Sequence, residues 1–186
     1  MSGRGENFWK TKMTNLFYLY DADGDGSITP VDFEILASKL SGLVGQDNPQ
    51  HSEQYATARK TLCEEIMRAD SNHDGKVTLD EWLEFHQRLR DELTKPDTDP
   101  ELLEQLCERV NTTFKMLDLN NDGMIEKDEW MKTCQFFGVK TEAAEKAFNQ
   151  IAKDGKLKED KAKKLFFEYI KSDDPDHISN CCLCFL

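Results

Sequence analysis

Three twelve-residue stretches place oxygen-bearing side chains at alternating positions around a glycine. They read DADGDGSITPVD from Asp21, DSNHDGKVTLDE from Asp70 and DLNNDGMIEKDE from Asp118. Oxygens at positions 1, 3, 5, 7, 9 and 12, with glycine at 6 for the sharp turn, form the donor set that a calcium loop offers a hard dication. In the first stretch the donors are Asp21, Asp23, Asp25, the Ser27 carbonyl, Thr29 (directly or through a water) and Asp32. The second offers Asp70, Asn72, Asp74, the Lys76 carbonyl, Thr78 and Glu81; the third offers Asp118, Asn120, Asp122, the Met124 carbonyl, Glu126 and Glu129. Lys76 does no harm, because only its backbone oxygen is wanted. Carboxylates gathered this closely repel one another until a cation relieves them, so the loops are expected to be looser without metal.

The closing position separates the three. A glutamate there grips Ca²⁺ with both oxygens, as Glu81 and Glu129 can. Asp32 is one methylene shorter and is expected to bind through one oxygen, a geometry closer to the six-coordination of Mg²⁺. Three Ca²⁺ sites are therefore expected, with Mg²⁺ competing most at the first loop.

A fourth unit survives only in outline. Phe148 and Ile151 repeat the apolar positions of Phe17/Tyr20 and Phe114/Leu117, four and one residues ahead of a loop. Only AKDGKL follows, two residues short of a full loop, and position 12 counted from Gly155 falls on Lys161. A lysine there opposes a dication, so this unit is expected to be a structural partner without metal. Position 8 is apolar in all four units: Ile28, Val77, Ile125 and Leu157. Aliphatic residues suit the short antiparallel contact by which such loops pair.

The elements that carry these loops follow from periodicity. Trp9, Met13, Leu16, Phe17 and Tyr20 share one helical face, as do Leu103, Leu106, Val110, Phe114 and Leu117. Thr29-Pro30 and the Thr78 to Glu81 capping-box spacing start the helices that leave loops one and two. Phe33, Trp82 and Trp130, each directly after position 12, are expected to plug the helix pairs, with Ala162 at the matching place in the fourth unit. Asp99-Pro100 reads as a cap and first turn. The division expected is an N-terminal pair over 7–94 (loops 21–32 and 70–81) and a C-terminal pair over 99–172 (loop 118–129 and the degenerate loop around 150–161). A flexible Cys-rich tail over 173–186 follows.

Composition narrows the function classes. With 11 Phe, 3 Trp and 4 Tyr in 186 residues, the chain can bury one large core or two fused ones. A net charge of −12 argues against nucleic acid. No apolar run spans a bilayer, there is no N-terminal apolar targeting region, and glycine does not directly follow Met1, so N-myristoylation is not expected. His51, His73, His86 and His177 are scattered without a nucleophile–base arrangement, so no enzyme is expected. Cys63, Cys107 and Cys134 sit singly in helical patterns, and a reducing cytosol is the simplest compartment. The ending CCLCFL excludes a prenyl box, because Leu183 stands fourth from the end. Thioester acylation at Cys181, Cys182 and Cys184 would add peripheral membrane attachment, against the repulsion of Asp173, Asp174 and Asp176. The other readings are a tail folded onto the core or redox-sensitive thiols.

Over residues 8–172 the layout resembles the invertebrate sarcoplasmic calcium-binding proteins and calexcitin. Loop starts 49 and 48 residues apart, aspartate closing the first loop, and a shortened DGK-type fourth loop carry the resemblance. It implies an all-α protein of the EF-hand superfamily, with four helix-loop-helix units in two pairs packed into one compact globule and the fourth loop degenerate. The implied function is a monomeric cytosolic Ca²⁺/Mg²⁺ buffer that shapes calcium signals. The alternative is a calexcitin-like sensor that exposes an apolar surface to a protein target and meets membranes through its tail cysteines. Few methionines and many aromatics favour the closed core of a buffer. A coelenterazine photoprotein or luciferin-binding protein is a third reading; photoproteins usually keep the fourth loop and lose the second, the reverse of this chain.

Overall fold

The computed structural model describes residues 3–44, 49–152 and 154–183. Each unit is a helix, a turn carrying a short strand, and a second helix. The first is α1 (Gly3–Tyr20), β1 (Ser27–Ile28) and α2 (Pro30–Val44). The second is α3 (Pro49–Ile66), a 3-10 turn (Met67–Ala69), β2 (Val77–Thr78) and α4 (Leu79–Leu93). The third is α5 (Pro100–Leu117), β3 (Met124–Glu126) and α6 (Lys127–Phe136). The fourth is α7 (Thr141–Ile151), β4 (Lys156–Lys158) and α8 (Glu159–Lys171), followed by a 3-10 segment, Ile178–Leu183.

The turns pair through their strands. β1 and β2 run antiparallel with Ile28 opposite Val77, and β3 and β4 with Ile125 opposite Leu157. All four side chains are buried. The apolar eighth positions thus meet in the register expected, and the fourth unit keeps its strand. Helix starts follow local chemistry as well: Thr78 and Glu81 close a reciprocal capping box on α4, and the Asp99 side chain accepts from the Glu101 N–H ahead of α5.

Two apolar clusters sit behind the paired turns. Trp9, Met13, Leu16, Phe17, Phe33, Ile66 and Trp82 fill the first, which also takes Tyr169 from α8. Phe114, Trp130, Cys134, Phe148, Ile151 and Leu165 fill the second. Leu89, Leu106 and Ile170 form a third, smaller cluster. The last carbonyls of α8, which no helical N–H can reach, are taken by the N-terminal pair. Trp9 Nε1 donates to the Ile170 carbonyl at 2.7 Å, Arg90 Nε to that of Lys171 at 3.0 Å, and Lys12 Nζ to that of Ser172 at 2.6 Å.

The C-terminal segment is described as far as Leu183. Residues 178–183 pack against α7 and α8, and Cys182 touches both clusters. Asp173 pairs with Arg90 at 3.1 Å, and Asp174 caps the turn by accepting the Asp176 N–H at 2.9 Å. Residues read as membrane-repelling charge thus make contacts within the protein. Cys184 lies outside the described residues.

His86 shows what the first cluster does to a titratable group. It is wholly buried, its Nδ1 donates to the Trp82 carbonyl at 2.9 Å, and its pKa is pushed down to about 3, first by burial and then by the Arg109 charge. The folded value lies below the ordinary one near 6.5, so between about pH 6.5 and 3 the unfolded chain binds the extra proton. Stability is full above that window and falls as pH drops through it, by up to about 1.4 kcal/mol per pH unit from this group. In urea melts of metal-free protein, His86→Phe is expected to flatten the decline between pH 6.5 and 5.

Candidate metal centre

Each of the three loops is wound on its own carboxylates. The residue at position 1 is buried in every case: Asp21, Asp70 and Asp118. Its backbone N–H is still helical, with Asp21 donating to the Phe17 carbonyl and Asp118 to that of Phe114. Its Oδ2 accepts the glycine N–H at position 6: Gly26 at 3.0 Å, Gly75 at 2.9 Å and Gly123 at 2.9 Å. Those glycines hold φ of +89°, +86° and +81°, which L-residues with side chains rarely adopt. Position 4 also lies in the left-handed region, at Gly24, His73 and Asn121. His73 is exposed to solvent there, and no side-chain pattern marks this backbone requirement in the sequence.

Positions 3 and 5 lie at the exposed rim. Asp23 Oδ1 accepts from the Asp25 N–H at 3.0 Å, Asn72 Oδ1 from Asp74 at 2.9 Å, and Asn120 Oδ1 from Asp122 at 2.9 Å. Asp25, Asp74 and Asp122 in turn accept from Ser27, Lys76 and Met124. These position-7 residues stand at or just before the strands. Carboxylate oxygens of Asp21, Asp23 and Asp25 all lie within 4.8 Å of one another. Loops two and three carry asparagine at position 3, which lowers the local negative charge.

Position 12 ties the far side of each loop to its start. Asp32, fully buried, accepts from the Ala22 N–H at 2.9 Å through Oδ1 and from the Thr29 N–H at 2.7 Å through Oδ2. Glu81 accepts from the Ser71 N–H and hydroxyl through Oε1 and from the Thr78 N–H at 3.0 Å through Oε2. Glu129 accepts from Leu119 at 2.8 Å and Asn120 at 3.1 Å, and from Glu126 at 2.8 Å. The Thr78 N–H, its hydroxyl and the Ser71 donors hold the Glu81 carboxyl down to about 2. At position 9, Thr29 Oγ1 donates to Asp32 and Thr78 Oγ1 to Glu81, while Glu126 pairs with Lys156 of the fourth turn at 2.9 Å. Neither Ser71 nor Lys156 was singled out from the sequence, because neither falls on a donor position.

The residues fit a dication on one independent observation. In loops two and three, Oδ1 of position 1 accepts from the position-5 N–H, at 3.3 and 3.1 Å. In the first loop the equivalent Asp21 Oδ1 is buried and has no hydrogen-bond partner among the described residues. An ionised oxygen left dry and unpaired is costly unless a cation completes it.

The fourth turn is built differently. Ala152 stands where Asp21 and Asp118 stand, its N–H donating to the Phe148 carbonyl at 2.7 Å, and it brings no carboxylate. The Gly155 N–H donates instead to the Ala152 carbonyl at 2.9 Å.

Helix, oxygen-lined turn and helix, repeated and paired through a two-stranded contact, define the EF-hand class. An EF-hand domain pair model matches residues 10–85 and an EF hand model residues 110–134, together more than half of the chain. The chain belongs to the EF-hand family. Within it, the chain is 33% identical over 123 residues to a sarcoplasmic calcium-binding protein of Scylla paramamosain. That alignment covers 63% of this chain and 60% of the crab protein, so the chain spans about three fifths of that relative's length. It is 28% identical over 180 residues to the alpha chain of the sarcoplasmic calcium-binding protein of Penaeus vannamei, covering 91% and 89%. The fold matches that of an amphioxus sarcoplasmic calcium-binding protein with a TM-score of 0.72, at 22% identity over 95% of this chain and 96% of the other. Among the described residues no helix is long and apolar enough to cross a membrane.

Proposed function

We propose that this chain is a calcium-binding protein with three working sites, acting as a Ca²⁺/Mg²⁺ buffer rather than as an enzyme. The ligands are those at positions 1, 3, 5, 7, 9 and 12 of the loops at 21–32, 70–81 and 118–129. The observation that carries the reading is the winding of all three loops on their position-1 and position-12 carboxylates, with Asp21 Oδ1 left over. A bound dication would supply charge neutralisation, and three would offset half of the net charge of −12. The fourth turn, with Ala152 at the first position and Lys161 at the last, serves as the strand partner of the third loop. The relatives' names support calcium as the ion, and the work expected is buffering in the cytoplasm by a monomer.

Buffering is favoured over sensing by how the two pairs, 7–94 and 99–172, are joined. Trp9, Lys12 and Arg90 hold the end of α8, and Met13 is sealed in an aromatic cluster. Opening a groove would break that set. Dissociation constants of roughly 10⁻⁸ to 10⁻⁹ M are expected. A hydrophobic dye added to metal-free protein is expected to brighten little on adding calcium; a large rise would turn the reading to a sensor.

Magnesium competition should centre on the first loop, where Asp32 is the shorter closing residue. Asp32→Glu is expected to raise calcium preference over magnesium at one site, read by competition calorimetry. No change would contradict the role given to that methylene.

A further inference from the structure

Arg109 is an unusual residue to find where it lies. It projects from α5 into the interior, is 3% exposed, and its guanidinium carbon sits 5.9 Å from the Tyr20 ring and 5.4 Å from the Phe166 ring. Its Nη2 is buried without a hydrogen-bond partner among the described residues. The acid whose ionisation it favours, Glu65, is already held by Arg68 at 3.0 Å. His86 beside it is neutral. Interior guanidinium groups are ordinarily paired with a carboxylate, because an uncompensated buried charge is strongly unfavourable. Contact with two aromatic faces offsets only part of that cost.

The same residue lines a cavity of about 150 Å³ between the two helix pairs. Its walls are otherwise almost wholly apolar, with Leu16, Phe33, Phe114, Trp130 and Phe166 among them. Thr113 and Thr133 also line it, but Thr113 Oγ1 donates to the Arg109 carbonyl and Thr133 Oγ1 to that of Glu129. Arg59 is the second cation in the wall; it is 42% exposed and faces Glu34 at 3.5 Å, so its charge is answered. A cavity near this volume with aliphatic and aromatic walls holds a molecule about the size of benzene. It is too small for a multi-ring ligand of the usual pocket range of about 300–1,000 Å³.

We propose that this cavity binds a small organic monocarboxylate, its head group paired with the Arg109 guanidinium and its apolar body lodged against Phe33, Phe114 and Trp130. The head answers the guanidinium charge with a charge-assisted bond, and the body fills space that water would occupy poorly. A neutral hydrocarbon would satisfy the walls and leave the cation unanswered. A bare carboxylate such as acetate would do the reverse. None of the cavity's polar groups is a loop ligand, so the site stands apart from the metal reading and is testable with the loops emptied by chelator.

The full chain is titrated with phenylacetate, toluene and acetate, in excess chelator and again in calcium, following tryptophan fluorescence and the Arg109 side-chain Hε resonance. Saturable phenylacetate binding is expected, about tenfold or more tighter than either toluene or acetate, with the Arg109 resonance shifted. In Arg109→Met the advantage over toluene disappears while toluene still binds, which also reports that the variant is folded. Phenylacetate binding no tighter than toluene, or an Arg109 resonance unmoved at saturation in the wild type, overturns the proposal without recourse to the variant. Absence of saturable binding in both conditions overturns it too.

Discussion

Replacing Glu129 by alanine is expected to remove one of the three proposed calcium equivalents at micromolar calcium, and Glu81→Ala another. Position 12 provides two of the six to eight or so oxygens that Ca²⁺ takes, and no neighbour can stand in for them. The two variants differ in what else they disturb. Glu129 is buried and receives three backbone N–H groups, so its loss also unfastens the start of the third loop from α6. Glu81 is only half-buried, and its donors at Ser71 and Thr78 can turn to water. Glu81→Ala is therefore the cleaner deletion, with lost stoichiometry and a small change in metal-free stability. Glu129→Ala should lose the same equivalent and more stability. Calorimetric titration beside urea unfolding of the metal-free forms separates the two effects. Three equivalents retained in either variant would mean that the closing carboxylate is not a ligand.

The second large effect concerns Trp82. It is wholly buried, its indole N–H donates to the Met13 carbonyl at 2.9 Å, and its ring lies 6.1 Å from Phe17, 5.8 Å from Tyr20 and 4.0 Å from His86. Trp82→Ala is expected to cost about 3–5 kcal/mol in the metal-free protein, the range for emptying a large aromatic site that cannot collapse. Because Trp82 follows Glu81 directly, the cavity lies under the second loop. Calcium should recover part of the loss by binding the folded form alone. Urea unfolding with and without calcium measures both. A cost under about 1 kcal/mol would place Trp82 outside the core that fixes α4 against α1.

What could be read from the residues was local. Donor spacing around Gly26, Gly75 and Gly123 is set within twelve residues, and so is the strand contact at Ile28, Val77, Ile125 and Leu157. The caps at Thr78–Glu81 and Asp99–Pro100 likewise depend on neighbours three residues away or fewer. Helical faces at Trp9–Phe17 and Leu106–Phe114 were legible because period alone marks them. What escaped was long-range. Nothing in the order of residues says that Trp9 and Lys12 would take carbonyls 161 and 160 positions later, or that Tyr169 would cross into the first cluster. The 173–186 segment read as a tail because it follows the last helix and opens on Asp173, Asp174 and Asp176; contacts with Arg90 and the self-capping turn at Asp174 depend on partners that the local order of residues does not mark. Arg109 stands at a position that period alone would leave beside the apolar face of α5, and only the packed structure shows its charge turned inward. At the loops, the left-handed fourth position was hidden because glycine, histidine and asparagine share no side-chain chemistry there.

The central claim is that three turns hold a dication and the fourth does not. Native mass spectrometry of the full chain, stripped of metal and then exposed to micromolar calcium, counts the ions directly. Three bound calcium ions per chain are predicted, falling to two in Glu81→Ala. No bound ion, or a further ion lost on Asp154→Ala, would contradict the account.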